Sequence, residues 1–74
     1  MAPRLPNITA KEAIRAFTRA GFLIAGQKGS HVRLKNSDGI MLIIPNHSGD
    51  VKRPLLKALI KLAGLNEKQF RDLL

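Results

Sequence analysis

The chain has 74 residues, a formal net charge of +8 from 13 basic and 5 acidic side chains, and no cysteine. This length allows one small domain, and the lack of cysteine excludes disulfide bonds and thiolate metal ligands as sources of stability. No apolar run approaches the roughly 18 residues that span a bilayer, and the N-terminus lacks the apolar segment of a signal peptide. We therefore expect a single domain over residues 1–74, located in the cytoplasm.

Acidic residues are missing from a long stretch of the sequence. None occurs between Ala13 and Ser37, and the basic residues in this window are Arg15, Arg19, Lys28, Arg33 and Lys35. Such a surface suits nucleic acid, an anionic membrane or an acidic protein. Nucleic acid is favoured, because each cation placed against a phosphate releases counterions and small basic domains often bind there.

The first helix is predicted over residues 10–20. Thr9 and Glu12 have the spacing of a capping box, in which each side chain accepts a hydrogen bond from the other residue's backbone amide. Apolar residues then recur at helical spacing, and Gly21 can adopt the left-handed conformation that ends a helix. Residues 1–8 contain two prolines and are interpreted as an extended lead-in.

Three strands are predicted to follow. The first covers residues 22–25 and is separated by a turn at 26–29 from a second over 31–36. A loop at 37–39 leads to the third strand over 40–44, and this loop length sets the register between the last two strands. The core side then holds Val32, Leu34, Ile40, Leu42 and Ile44. The opposite side holds His31, Arg33, Lys35, Met41 and Ile43.

Two helices are predicted after the polar loop at residues 46–50. The first has Pro54 in its first turn and Gly64 as its stop, with a core face formed by Leu55, Leu56, Leu59, Ile60 and Ala63. Arg53, Lys57 and Lys61 recur every fourth residue on its other side. A short last helix begins at a second capping pattern over 66–69 and directs Phe70, Leu73 and Leu74 inward.

The order of these elements predicts an α+β domain. Its αβββα arrangement, with a short C-terminal helix, is typical of helices packed on one face of a three-stranded antiparallel sheet, as in the double-stranded RNA-binding domain. The other face of the sheet is expected to be open to solvent.

The two histidines are the candidate catalytic residues. An imidazole can accept and donate a proton near neutral pH, and RNA carries its own nucleophile in the 2′-hydroxyl. A ribonuclease without a metal therefore needs a base, an acid and cations. His31 and His47 could supply the first two, and Lys28, Arg33 and Lys35 the third. Two histidines without clustered carboxylates fall short of a metal site, so no metal or cofactor is expected.

Simpler interpretations of the same residues stay open. A histidine on a strand is often only a surface residue, and a lysine stripe on a helix is commonly solvated. A non-catalytic double-stranded RNA-binding module would use phosphate and 2′-hydroxyl contacts and would need no histidine. A protein-binding domain would instead dock an acidic partner on the open sheet face, where Met41 and Ile43 are exposed hydrophobic residues.

Three segments resemble the HicA toxin family of bacterial type II toxin–antitoxin systems. They are Lys28-Gly29-Ser30-His31, Pro45-Asn46-His47, and the segment that ends in Ala63-Gly64-Leu65 and continues to Phe70. The resemblance covers nearly the whole chain from Thr9. It implies a fold like the double-stranded RNA-binding domain, ribonuclease activity against mRNA that does not need the ribosome, and neutralisation by a HicB antitoxin covering the active site. The family's essential histidine lies in the Gly-Ser-His motif, which implies this role for His31.

The chain departs from the family before the second helix, where Pro54-Leu55-Leu56-Lys57 replaces Gly-Thr-Leu-Arg. Proline still suits a helix start, but Leu55 lacks the hydroxyl that a threonine would offer to RNA. The resulting hypothesis is an mRNA-cleaving toxin with His31 as its catalytic histidine and His47 as the complementary acid. The expected RNA-binding residues are Lys28, Gly29, Ser30, Arg33, Lys35, Arg53, Lys57 and Lys61.

Overall fold

The computed structural model describes residues 5–74, which contain three helices and one antiparallel sheet with strand order β1-β2-β3. The elements in chain order are α1 (Ala10–Arg19), β1 (Leu23–Lys28), β2 (His31–Lys35), β3 (Met41–Pro45), α2 (Arg53–Leu62) and α3 (Glu67–Asp72). This αβββα order with a short C-terminal helix confirms the predicted α+β class.

Helix α1 begins at the predicted capping box. The Thr9 hydroxyl accepts a hydrogen bond from the Glu12 amide at 3.2 Å, and the Thr9 amide donates to the Glu12 carboxylate at 3.1 Å. The helix ends at Arg19, one residue before the predicted end, and Gly21 follows with a φ of 101°. These local contacts satisfy amides that have no partner inside the helix, so the sequence determines where it starts.

Strand β1 is longer than predicted, and the predicted turn at residues 26–29 is wrong. The strand continues to Lys28, which pairs with His31, so only Gly29 and Ser30 form the turn. The register shifts between Ile24 and Gly26, where the extra residue makes a bulge. Gly29 has a φ of 58°. Since Ser30 has no positive φ, the turn fits the tight hairpin type with glycine in its first central position.

The second hairpin has the predicted register. Val32 pairs with Ile44 and Leu34 pairs with Leu42, and all four side chains are buried. The Asn36 side-chain oxygen closes the loop by accepting from the backbone amides of Asp38 and Ile40. The second strand ends at Lys35, one residue before the predicted end, and the third covers residues 41–45, one residue later than expected.

The core combines side chains from the three helices, from the sheet and from the segments between them. Phe17 lies at its centre, with its ring 6.0 Å from that of Phe22 and 5.0 Å from that of Phe70. Helix α2 buries Leu56, Leu59 and Ile60, and the predicted core residues Leu55 and Ala63 are half-buried. None of the helices in residues 5–74 has the length and apolar character needed to cross a membrane.

The two ends of the described chain differ from prediction. Residues 5–8 adopt neither helix nor strand, yet Leu5 and Ile8 are buried in the core, which the sequence analysis did not anticipate. Residues 1–4 of the expected lead-in lie outside the described residues. At the other end Phe70 is buried and Leu73 half-buried as predicted, but Leu74 is 42% exposed, so its predicted inward position is wrong.

Phe70→Ala should destabilise the whole domain, because it removes the ring that packs against Phe17. Truncation of a fully buried phenylalanine costs about 3–5 kcal/mol, a large share of the roughly 5–15 kcal/mol that stabilises an ordinary domain. Urea unfolding followed by circular dichroism measures this loss, with Leu74→Ala as a control near the same end. Equal unfolding midpoints for the two variants would contradict this placement of α3.

Candidate functional site

The solvent-facing side of the sheet, called the open face below, carries three rows of side chains across the strands. From one end to the other the rows are Lys28–His31–Pro45, Gly26–Arg33–Ile43 and Leu23–Lys35–Met41. Residues paired across strands share a face, which is why these side chains lie together. None of the three strands contains an acidic residue, so the open face is cationic.

His31 is placed by the first hairpin turn. It is the first residue of β2 and lies directly opposite Lys28, the last residue of β1. The turn between them needs a positive φ, which Gly29 provides without steric cost. The Gly-Ser-His motif therefore has a structural explanation as a tight turn that exposes His31 at the end of the sheet.

His47 is brought to His31 by the end of β3. Pro45 pairs with His31, and the backbone amide of Asn46 donates a hydrogen bond to the carbonyl of Ser30. His47 follows immediately, and its ring centroid lies 6.5 Å from that of His31, with the ring planes at 79°. The structure thus brings together the two histidines that the sequence analysis singled out separately.

The loop that carries His47 is also held at its far end. The amide of Val51 donates to the carbonyl of Ile8 at 2.8 Å, and Thr9 and Asp50 form an isolated β-bridge. Ile8 is itself buried in the core. The segment before α1 therefore fixes the loop that follows β3, and residues far apart in sequence determine the position of His47.

His31 borders two clefts. The first, called the loop cleft, has a volume of about 400 Å³ and is lined by His31, Pro45, His47, Ser48, Gly49, Asp50, Val51, Lys52 and Leu55. The second, called the sheet cleft, has a volume of about 590 Å³ and is lined by Lys28, Gly29, His31, Arg33 and Ile43. A group bound at His31 would thus lie near His47 on one side and near Lys28 and Arg33 on the other.

Five predicted site residues line these clefts, namely His31, His47, Lys28, Gly29 and Arg33. Ser30 is half-buried in the turn, and its carbonyl accepts from Asn46. Lys35 lies in the row farthest from the histidines, beside Leu23. The structure therefore groups these five residues around His31 at one end of the open face and places Lys35 at the other end.

The cations of α2 lie away from the histidines. Arg53 and Lys57 line a depression with Leu5 and Glu67, and the Arg53 guanidinium donates to the Asn7 side chain at 3.2 Å. Lys61 is exposed and lines neither of the clefts that His31 borders. The structure therefore does not bring Arg53, Lys57 and Lys61 together with His31.

Several residues of the loop cleft were not predicted from the sequence. Ser48, Asp50 and Lys52 line it, and Asp50 is the only carboxylate among the residues that line either cleft. The feature of the sequence that could have identified them is their position within five residues after His47. Leu55 lines the same cleft, so the departure from the family's threonine falls beside the histidine pair. Within residues 5–74, no group of three or more histidine and acidic side chains is arranged to hold a metal ion.

Comparison with known proteins identifies the family. The family model for the HicA toxin of bacterial toxin–antitoxin systems matches residues 10–65, which is more than half of the chain. No curated protein shows significant similarity to the chain. The match extends from the first residue of α1 to just beyond α2 and includes both histidines. The chain therefore belongs to the HicA toxin family of bacterial toxin–antitoxin systems.

Proposed function

We propose that this toxin is a metal-independent endoribonuclease that cleaves mRNA without needing the ribosome. The observation that carries the proposal is the pairing of two exposed imidazoles, with ring centroids 6.5 Å apart, beside the cationic face of the sheet. A base and an acid on either side of a phosphate are the groups that cleavage by the ribose 2′-hydroxyl requires.

The proposed reaction is a transesterification. His31 accepts the proton of a 2′-hydroxyl, whose oxygen attacks the adjacent phosphorus. The bond from phosphorus to the 5′-oxygen of the next nucleotide breaks, and His47 donates a proton to that oxygen. The products are a 2′,3′-cyclic phosphate and a 5′-hydroxyl, so the reaction consumes no cofactor.

The surrounding cations stabilise the negative charge that develops on the phosphorane. Lys28 and Arg33 lie beside His31 in the sheet cleft, and Lys52 lies in the loop cleft. Gly29 and Ser30 form the turn at which the RNA backbone approaches, because Gly29 has no side chain to block it. Lys35 and the basic residues of α2, Arg53, Lys57 and Lys61, bind phosphates farther along the RNA strand.

The natural inhibitor proposed for this site is a HicB-type antitoxin that covers His31. The family implies an antitoxin partner, and the open face offers cations without any carboxylate on its strands. An acidic patch on the antitoxin facing Arg33 and Lys35 would accelerate association by electrostatic steering. A complex that leaves His31 accessible to RNA would contradict this mode of inhibition.

His31→Ala should abolish RNA cleavage and the growth arrest caused by induced expression. Loss of a general base lowers the rate by about 10²–10⁴-fold, and the fold should persist because His31 is exposed. Gel analysis of end-labelled RNA in EDTA measures cleavage and the cyclic phosphate end. Lys11→Ala, an exposed change on α1, is the matched control.

A purified His31→Ala protein that cleaves RNA at the wild-type rate would contradict the assignment. If wild-type protein binds RNA and forms no product, the chain is instead a non-catalytic RNA-binding module.

His47→Ala should change the pH dependence of cleavage. When one group must be deprotonated and another protonated, the rate falls on both sides of an optimum. Removal of the acid should leave only the limb that reports the base. Single-turnover rates across the range in which the protein stays folded test this, with Asn46→Ala as the neighbouring control. Two limbs that persist in His47→Ala would assign the acid to another group.

Leu55→Thr should cleave RNA faster than Leu55→Val. Threonine and valine have nearly the same shape, so the comparison isolates a hydroxyl placed in the loop cleft beside the histidines. One hydrogen bond of about 0.5–1.5 kcal/mol corresponds to roughly a twofold to tenfold gain in kcat/KM. Equal values for the two variants would show that a hydroxyl at this position does not bond to the substrate.

A further inference from the structure

We infer that the sheet cleft is a subsite for one unpaired nucleobase, with the exposed side chain of Ile43 as its apolar surface. The inference rests on the proposed ribonuclease function and specifies the class of RNA that the site accepts. It makes the substrate a single strand or a loop, rather than a continuous duplex.

Ile43 is the exposed large hydrophobic residue of the open face that lies in the sheet cleft with His31. It lies in the middle row of the open face, opposite Arg33, and is 48% exposed. Its neighbours in the sheet cleft are Lys28, Gly29, His31 and Arg33. A cleft of about 590 Å³ lies within the range of roughly 300–1,000 Å³ that small-molecule sites occupy, so a flat heterocycle can enter it.

The side chain of Arg33 leaves this surface uncovered. A Cβ atom placed on Gly26 would lie 2.9 Å from Nη2 of Arg33, so the guanidinium group lies directly over Gly26 on β1. Ile43 is on the opposite neighbour, β3. Arg33 therefore extends away from Ile43 and borders the cleft from the β1 side. A planar guanidinium at such an edge can stack on a base or bind its phosphate.

An unpaired nucleotide matches these features better than a duplex does. Paired bases are stacked inside an A-form helix, which presents mainly phosphates and 2′-hydroxyl groups to a protein. Such a surface offers nothing apolar to Ile43. Single strands are instead held by cations along the backbone and by apolar or aromatic contacts to the bases. The sheet cleft combines both kinds of group directly beside His31.

The reaction itself also favours an unpaired nucleotide. Displacement at phosphorus needs the attacking and leaving oxygens roughly in line. A regular stacked duplex holds the 2′-oxygen away from that line, whereas a nucleotide turned out of the stack can rotate into it. A base held on Ile43 would keep its ribose and the adjacent phosphate at His31.

The first experiment compares one RNA in two states. A cleavage site is mapped in a single-stranded oligonucleotide, and the same strand is then annealed to a complement in which every ribose is 2′-O-methylated and cannot be cleaved. We expect annealing to lower the single-turnover rate at least about tenfold, because the base must then leave its pair. Equal rates on the two states would overturn the subsite and leave the ribonuclease function standing. If neither state is cleaved, the proposed function itself fails.

The second experiment tests Ile43 against a matched residue. Ile43→Thr and Leu23→Thr each place a β-branched residue on an exposed strand position of the open face, but Leu23 lies in the row farthest from His31. We expect Ile43→Thr to raise KM for the single strand about fivefold through lost apolar contact, and Leu23→Thr to leave it unchanged.

The melting temperature of each variant shows whether the fold is intact. Equal KM values for the two threonine variants would overturn the role of Ile43. So would an Ile43→Thr variant that cleaves normally but no longer binds its antitoxin, because Ile43 would then belong to a protein interface.

Discussion

The pairing of β2 with β3 is the constraint on which the site depends. It places Val32 and Leu34 in the core, and the same alternation leaves His31 and Arg33 exposed. A shift of one residue would exchange the buried and the exposed residues, so one register specifies both the hydrophobic core and the open face. The hydrogen bond from Asn46 to Ser30 extends that register past the last strand and brings His47 to His31.

The sequence was sufficient for the parts of the structure that are determined locally. The capping box at Thr9, the register across the second hairpin and the alternation of Val32 and Leu34 each depend on contacts between residues close in sequence, and all three were predicted correctly. The loop of that hairpin is one residue longer at each end than the predicted 37–39. The turn before His31 was misplaced because Gly26 and Gly29 are both turn signals. Only the pairing of Lys28 with His31 distinguishes them.

The histidine pair could not be predicted, because it depends on contacts between distant parts of the chain. His47 lies in a loop without periodicity, and the position of that loop depends on Ile8, whose carbonyl binds Val51. The burial of Leu5 and Ile8 was missed for the same reason, since two prolines in the first eight residues indicate an extended segment but not what it packs against. Sequence spacing therefore identified the chemical groups of the site but not their arrangement.

The two faces of the sheet differ in what they contribute to the core. The core uses one side of the sheet, and His31, Arg33, Lys35, Met41 and Ile43 on the other side contribute little to it. Under the proposed function, RNA and antitoxin would compete for the same cations, because no strand of the open face carries a carboxylate. Inhibition then needs no conformational change in the toxin. Binding of the antitoxin to the open face is enough to exclude RNA. Because both RNA and antitoxin would bind through the same cations, the affinity of each should fall as salt concentration rises.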